Sequence, residues 1–133
     1  MSRIKAVVFD WAGTMIDFGS FAPMGTFVAA FGEFGIDVSI EEARAPMGKA
    51  KRDHITAMMT TERVSALWRE RFGHPPGDAD IDRVYEVFVP MNEKVAAAYA
   101  DLVPGALETI AYLKSRDIRI GSTTGYTRSI MAH

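Results

Sequence analysis

A run of four apolar residues that ends at an aspartate is the feature that most constrains how this chain folds. Ala6–Phe9 is short, continuously apolar and contains two valines, which is typical of a strand buried on both faces of a parallel sheet. Asp10 ends the run, and Gly13 suits a sharp turn soon after it. Open α/β sheets bind their ligands beyond the carboxyl ends of such strands. The run therefore predicts an α/β domain with a candidate site at Asp10.

The residues that follow carry helical rather than strand periodicity. Residues 19–23 interrupt the pattern and are interpreted as a linker. From residue 21 to about residue 101 no strand signal of comparable strength is found, whereas Ser39 and Glu42 have the spacing of a capping box and Thr61 can cap a further helix. This stretch predicts a helical insert.

Strand character returns only after this insert. The helical pattern continues through Pro90, which is expected to kink its helix rather than break it. Pro104 opens a helical segment that runs to Asp117, residues 118–122 form the next strand, and Thr127 opens a further helix. The order of strand, insert, helix, strand and helix start predicts a βαβ unit.

These elements predict an α/β fold whose doubly wound parallel-sheet core carries a helical cap inserted after the first strand. Residues 1–18 and 102–133 are assigned to a partial core domain and residues 19–101 to the cap domain. Two strands are too few for a complete sheet of this kind. The core is therefore expected to be incomplete in this chain.

Composition narrows the classes of function. The 133 residues are 48% apolar and 24% charged with a formal net charge of -2, which is ordinary for a globular domain and offers no basic field for nucleic acid or an anionic membrane. The chain has no cysteine, so disulfides and thiolate metal sites are excluded. The first apolar run is too short for a signal-peptide core or a membrane span. We expect a cytoplasmic protein that binds neither nucleic acid nor membrane.

Polar residues also follow the second predicted strand, in the sequence Ser-Thr-Thr-Gly-Tyr at positions 122–126. Together with Asp10 and Gly13, this segment resembles the first two motifs of the haloacid dehalogenase superfamily. The resemblance implies that Asp10 is a nucleophile and that the hydroxyl of Thr124 binds a phosphoryl group, with Thr123 as the alternative. A threonine hydroxyl and the backbone N–H groups beside Gly125 are suitable neutral donors for phosphoryl oxygens.

Ala12 departs from the common pattern of that superfamily. Its phosphatases usually carry a second aspartate two residues after the nucleophile, as the acid and base for an oxygen leaving group. This chain has alanine there. A carbon that leaves phosphorus needs an electron sink instead, and an imine between a lysine and an aldehyde supplies one. Ala12 is therefore consistent with cleavage of a carbon–phosphorus bond.

The predicted cap contains a candidate for this lysine. Residues 41–54 include a proline, methionine and glycine, then Lys51 three residues beyond the glycine, then His54, and this segment resembles the cap motif of the phosphonoacetaldehyde hydrolases. The resemblance implies that Lys51 forms the imine, that Met47 packs near the reacting carbon and that His54 handles protons. Gly125 and Tyr126 are assigned to substrate binding on the same basis.

Lys51 must lose its proton before it can form an imine. Enclosure between cap and core disfavours the charged ammonium and is expected to lower the pKa of Lys51. The neighbouring cations Lys49 and Arg52 are expected to lower this pKa further.

The resemblance covers the N-terminal half of the phosphonoacetaldehyde hydrolase family and implies a complete reaction for the full-length protein. Phosphonoacetaldehyde would be hydrolysed to acetaldehyde and phosphate through an imine at Lys51 and an aspartyl phosphate at Asp10. Magnesium would be held by Asp10 and the backbone carbonyl of Ala12, and the protein would be a homodimer through the cap. The later basic and acidic motifs are absent from these 133 residues, so the chain alone is expected to be inactive.

Two alternatives remain open. A 2-haloacid dehalogenase also lacks the second aspartate and uses the first as its nucleophile, but it attacks carbon without a metal and needs no imine. The other alternative is a truncated gene product that is kept for binding or dimerisation and has no catalytic activity.

Overall fold

A computed structural model of the chain describes residues 4–126, apart from the side chain of residue 97, together with residues 128 and 131. Helices dominate the described part. The elements in chain order are β1 (Ala6–Phe9), α1 (Phe21–Gly32), α2 (Ile40–Arg44), α3 (Lys51–Met59), α4 (Glu62–Phe72), α5 (Asp78–Ala96), a 3-10 turn (Ala97–Tyr99), α6 (Ala106–Ser115) and β2 (Arg119–Ser122).

The two strands form a parallel pair. Ala6 lies opposite Arg119 and Phe9 opposite Ser122, and the connection between the strands contains every helix from α1 to α6. This arrangement confirms the expected fold, a partial parallel-sheet core with helices inserted after the first strand. The helix expected to open at Thr127 lies outside the described residues.

One expectation about β1 is wrong for this chain. The strand is not buried on both faces, since Val8 is 65% exposed and Ile4 just before the strand is 70% exposed. The physical reason is the size of the sheet: among the described residues β1 and β2 pair only with each other, and α6 packs against β2. Two strands and one helix cannot cover both faces.

The helices between the strands bury most of the apolar side chains. The ring of Phe27 on α1 stacks on Phe88 of α5 at 4.3 Å between centroids, and Trp68 of α4 is fully buried between Phe34 and Phe72. Fully burying one such side chain stabilises the fold by roughly 1.5–3 kcal/mol. The helical insert therefore has a core of its own, although its division from the α/β part at residues 18 and 102 stays a prediction.

Local signals read from the sequence hold in this region. Ser39 and Glu42 form the expected capping box at the start of α2, and the hydroxyl of Thr61 accepts from the N–H of Val64 at the start of α4. Helix α5 continues through Pro90 without a break. None of the helices formed by the described residues is both long and apolar enough to span a membrane.

The predicted linker at residues 19–23 is shorter than expected. Helix α1 already begins at Phe21, so Pro23 lies in its first turn. The buried carboxylate of Asp17 accepts hydrogen bonds from the N–H groups of Phe21 and Ala22 at 3.0 and 3.1 Å, and Pro23 has no N–H that needs a partner. Asp17 thus caps the N-terminus of α1, although it lies outside the helix.

The chain enters and leaves the helical insert through two segments that lie side by side. The N–H of Asp17 donates to the carbonyl of Asp101 at 3.1 Å, and the N–H of Val103 donates to the carbonyl of Met15 at 2.9 Å. This pairing places α1 next to the carboxyl ends of the strands.

Candidate active site

A cavity of about 480 Å³ lies at the carboxyl ends of β1 and β2. It is bounded by the turn after β1, the segment around the start of α3 and the turn after β2. All of the predicted site residues line it: Asp10, Ala12, Met47, Lys51, His54, Thr124, Gly125 and Tyr126, together with the alternative Thr123. The structure brings these residues together, while their chemical roles stay predictions.

Strand pairing fixes the two predicted phosphoryl-transfer motifs next to each other. The N–H of Thr123 donates to the carbonyl of Phe9 at 2.8 Å, which extends the ladder by one bond beyond β2. Asp10 directly follows Phe9 and its side chain is exposed to the cavity. The carboxylate of Asp10 and the hydroxyls of Thr123 and Thr124 therefore lie at the same edge of the sheet.

The turn after β1 depends on Gly13. Its N–H donates to the carbonyl of Ile16 at 2.7 Å, and its φ of 79° is one that residues with a side chain rarely adopt. A Cβ at this position would collide with the hydroxyl of Ser20. Ser20 is buried and also lines the cavity. Sequence reasoning missed Ser20, because only the close approach of the linker to the turn makes it part of the site.

Lys51 is the first residue of α3 and is half-buried. Its Nζ lies 5.8 Å from the centroid of the Phe27 ring and 5.7 Å from that of Tyr126. Burial lowers the pKa of Lys51, and the nearby carboxylate of Asp10 partly opposes that effect. The positive end of the α3 dipole also disfavours the ammonium. The amine is thus easier to deprotonate than that of an exposed lysine.

The expected contribution of neighbouring cations to the pKa of Lys51 is not found. Arg52 turns away and pairs with Asp82 at 2.7 Å and with Asp78 at 3.4 Å. Burial, not the charge of Lys49 or Arg52, lowers the pKa of Lys51. Successive helical residues point in different directions, so adjacency in sequence did not place the guanidinium of Arg52 beside the Lys51 amine.

His54 lies one helical turn after Lys51 and is 1% exposed. Burial lowers its pKa, the hydrogen bond with the carbonyl of Ala43 opposes this, and the charges of Lys51 and Lys49 lower the pKa further. The imidazole Nε2 is 2.6 Å from that carbonyl oxygen, so the neutral ring donates through Nε2 and keeps Nδ1 as an acceptor. Nδ1 is therefore the ring atom that can accept a hydrogen bond, while burial and the nearby cations disfavour the charged imidazolium.

Thr124 and Tyr126 are joined within the turn after β2. The N–H of Tyr126 donates to Oγ1 of Thr124 at 3.1 Å, which leaves the threonine O–H able to donate elsewhere. Burial raises the pKa of Tyr126 to about 12, with Asp17 and Asp10 adding to the effect. The phenol therefore keeps its proton near neutral pH and is a hydrogen-bond donor at the cavity.

The cavity contains oxygen donors of the kind that magnesium prefers. Asp10 and Ala12 both line it. Among the described residues, however, no three His, Cys, Asp or Glu side chains come together in a group that could hold a metal ion. The donor chemistry fits magnesium, and the described part of the chain supplies one carboxylate toward it.

Comparison with known proteins agrees with this geometry. Residues 4–133 match the family of haloacid dehalogenase-like hydrolases. The chain is 58% identical over 132 residues to the phosphonoacetaldehyde hydrolases of Paraburkholderia phytofirmans and Paraburkholderia xenovorans, covering 99% of this chain and 49% of each of those proteins. It therefore spans about half the length of these curated relatives.

A solved structure gives the same result for the fold. The crystal structure of a phosphonoacetaldehyde hydrolase-like protein from Oleispira antarctica superposes with a TM-score of 0.94 at 38% identity, covering 98% of this chain and 48% of that one. The fold, the residues at the strand ends and these matches have one explanation: the chain belongs to the family of haloacid dehalogenase-like hydrolases.

Proposed function

We propose that the protein to which this chain belongs hydrolyses the carbon–phosphorus bond of phosphonoacetaldehyde to give acetaldehyde and phosphate. The observation that carries the proposal is that the amine of Lys51 and the carboxylate of Asp10 lie in the same cavity. Burial in that cavity lowers the pKa of the Lys51 amine. A phosphatase needs no such amine, whereas cleavage of a carbon–phosphorus bond needs an electron sink for the leaving carbon. Relatives named phosphonoacetaldehyde hydrolase support the substrate.

The aldehyde is activated from the helical side of the cavity. The neutral amine of Lys51 attacks the aldehyde carbon, and loss of water gives an imine. The imidazole of His54, which is buried and lines the cavity, accepts and returns protons during this exchange. Met47, which lines the cavity and is 46% exposed, packs near the reacting carbon.

Phosphoryl transfer takes place on the sheet side of the cavity. The carboxylate of Asp10 attacks phosphorus, and the electrons of the breaking carbon–phosphorus bond move toward the protonated imine nitrogen of Lys51, which gives an enamine. The freed carbon then takes a proton, which returns the enamine to an imine that water hydrolyses to acetaldehyde. The O–H of Thr124, the N–H groups beside Gly125 and the phenol of Tyr126 donate to the phosphoryl oxygens. Water then hydrolyses the aspartyl phosphate and frees Asp10.

The remaining parts of the proposal concern the ion, the location and the assembly. Asp10 and the carbonyl of Ala12 would hold magnesium, which offsets negative charge on the phosphoryl group when bound. A cytoplasmic location and a homodimer through the helical insert complete the proposal.

The imine can be tested separately from turnover. The chain carrying Asp10→Asn is incubated with phosphonoacetaldehyde, reduced with borohydride and digested for mass spectrometry. We expect an adduct on Lys51, since the imine does not use the Asp10 carboxylate. A matched pair of further variants provides the control: Lys51→Arg abolishes the adduct, because arginine cannot lose its proton, whereas Lys49→Arg retains it.

Two outcomes would contradict the proposal. If the Asp10→Asn chain with Lys51 intact forms no adduct, the result would favour a dehalogenase-type reaction, which needs no imine. An adduct on Lys49 instead would move the reacting amine two residues away.

A further inference from the structure

A second cavity adjoins Lys51, and the steps described above assign no role to it. It encloses about 180 Å³ and shares Lys51 and Gly125 with the first cavity. Its other wall comes from α5, where Phe88, Val89 and Asn92 line it. A space beside the reacting amine that is bounded by a different helix from the main site requires an explanation.

Asn92 is the unusual member of this wall. Its side chain is 0% exposed, and neither its Nδ2 nor its Oδ1 has a hydrogen-bond partner among the described residues. A buried amide whose donors and acceptor are all unpaired destabilises a folded protein, so such groups almost always have partners. Asn92 lines this cavity, so a group held there is placed to complete the hydrogen bonds of its amide.

The chemistry of the walls selects a neutral occupant. Arg52 also lines the cavity, but its guanidinium is paired with Asp82 and Asp78 and is not free to bind an anion. No aspartate or glutamate is among the residues that line this cavity in the described chain, so a cation has no counter-charge. Water is small enough to fit, and its donors and acceptors match those of an amide.

We propose that Asn92 holds a water molecule in this cavity and positions it for attack on the imine carbon at Lys51. The proposal rests on the function proposed above, because only an imine at Lys51 gives such a water a reaction. Asn92 acts through the water and is a positioning residue.

The step that this water performs is the release of the aldehyde. Its oxygen bonds to the imine carbon while the π electrons of the C=N bond move to nitrogen, which takes one proton from the water. The carbon–nitrogen bond then breaks while the remaining hydroxyl proton passes to the nitrogen. Acetaldehyde and the free amine of Lys51 result.

The lifetime of the imine measures this step without cleavage of a carbon–phosphorus bond. The chain is incubated with acetaldehyde, diluted, and reduced with borohydride after increasing delays, so that the adduct remaining on Lys51 reports hydrolysis. Asn92→Leu keeps the size of the side chain and removes the amide. We expect it to lengthen the lifetime by roughly fivefold or more, because the water is no longer held in place.

Two variants separate polarity from shape. Asn92→Ser restores a polar group and leaves room for a second water, so it should return the lifetime to within about twofold of the parent chain. Val87→Ala shortens a side chain of α5 that does not line the cavity and should leave the lifetime unchanged. Circular dichroism confirms that each variant is folded.

The outcomes distinguish this proposal from the one on which it rests. A lifetime in Asn92→Leu equal to that of the parent chain, or in Asn92→Ser as long as in Asn92→Leu, overturns the role of Asn92. Absence of any Lys51 adduct in the parent chain contradicts the imine instead. In that case magnetisation transfer between bound water and the side-chain amide protons of Asn92 still tests the water site, and its absence overturns that site.

Discussion

At the residue scale, burial determines which protonation state the side chains of the site favour. Lys51 and His54 both have their pKa lowered chiefly by burial, while burial raises the pKa of Tyr126 to about 12. All three shifts favour the neutral side chain. The cavity thus favours the uncharged forms of the amine, the imidazole and the phenol beside a substrate that carries its own negative charge.

The shift at Lys51 predicts how imine formation depends on pH. The ordinary pKa of lysine is 10.5 and that of Lys51 is lower, so at a given pH a larger fraction of Lys51 than of an exposed lysine is the neutral amine. Reductive trapping of acetaldehyde should label Lys51 in preference to Lys49 as the pH is lowered toward neutrality. Equal labelling of both residues at neutral pH, measured by mass spectrometry, would show that burial does not activate Lys51.

Gly13 should be the most sensitive position in the turn after β1. Gly13→Ala combines a φ of 79° with a Cβ that collides with the hydroxyl of Ser20, and we expect it to reduce the free energy of unfolding by about 2–4 kcal/mol. Gly25 in α1 is the matched control, since nothing lies within 4 Å of a Cβ built there. Gly25→Ala should stabilise the chain by up to about 1 kcal/mol. Urea denaturation measures both changes.

At the scale of elements, the site depends on how α1 is joined to the turn after β1. Asp17 belongs to that turn and accepts from the first N–H groups of α1, and Ser20 between them contacts Gly13. Phe27 of the same helix then packs against His54 at 4.1 Å between ring centroids. One helix therefore connects the turn after β1 to the residues around Lys51.

Removing the carboxylate of Asp17 should loosen this connection. Asp17→Ala leaves the N–H groups of Phe21 and Ala22 without their acceptor, and a lost helix cap of this kind costs about 1–2 kcal/mol. Amide exchange should accelerate at both residues while the start of α2 stays protected. Ser39→Ala is the comparison, because it removes the capping box of α2 and should show the opposite distribution. Unchanged exchange at Phe21 in Asp17→Ala would mean that packing alone holds the start of α1.

At the scale of the whole molecule, the helical insert and the strand pair differ in how well they are covered. The insert buries Phe27, Phe31 and Trp68 completely. A groove of about 290 Å³ beside the strands is lined by apolar side chains that include Trp11, Ile16 and Ile120. The strand pair therefore exposes apolar surface and strand edges of the kind that pair with further structure.

This difference predicts separate behaviour of the two parts in the chain of 133 residues. Amides of β1 and β2 should exchange faster than those of α4 and α5, because fewer buried contacts protect them.

The chain alone should also show no magnesium-dependent hydrolysis of phosphonoacetaldehyde, since the described residues bring a single carboxylate to the site. A protein of the full length of the relatives is the control for exchange and for acetaldehyde release. Turnover by the 133 residues alone would contradict this account of the site.

The sequence alone predicted whatever depends on short-range spacing. The apolar run before Asp10, the capping box at Ser39 and Glu42, and the continuation of α5 through Pro90 follow from the local geometry of strands and helices. The convergence of Asp10 and Thr124 was also predictable, because the carboxyl ends of parallel strands meet at one edge of a sheet.

Only the tertiary structure decided which side chains face one another across distant segments. Asp17 caps α1, Ser20 contacts Gly13, and Asn92 lines a cavity with Lys51. Arg52 turns to Asp82 instead of lowering the pKa of Lys51. Burial of β1 likewise depended on how many neighbours cover the sheet. These features depend on side-chain direction and solvent exclusion, which result from long-range packing and are not encoded in the spacing of neighbouring residues.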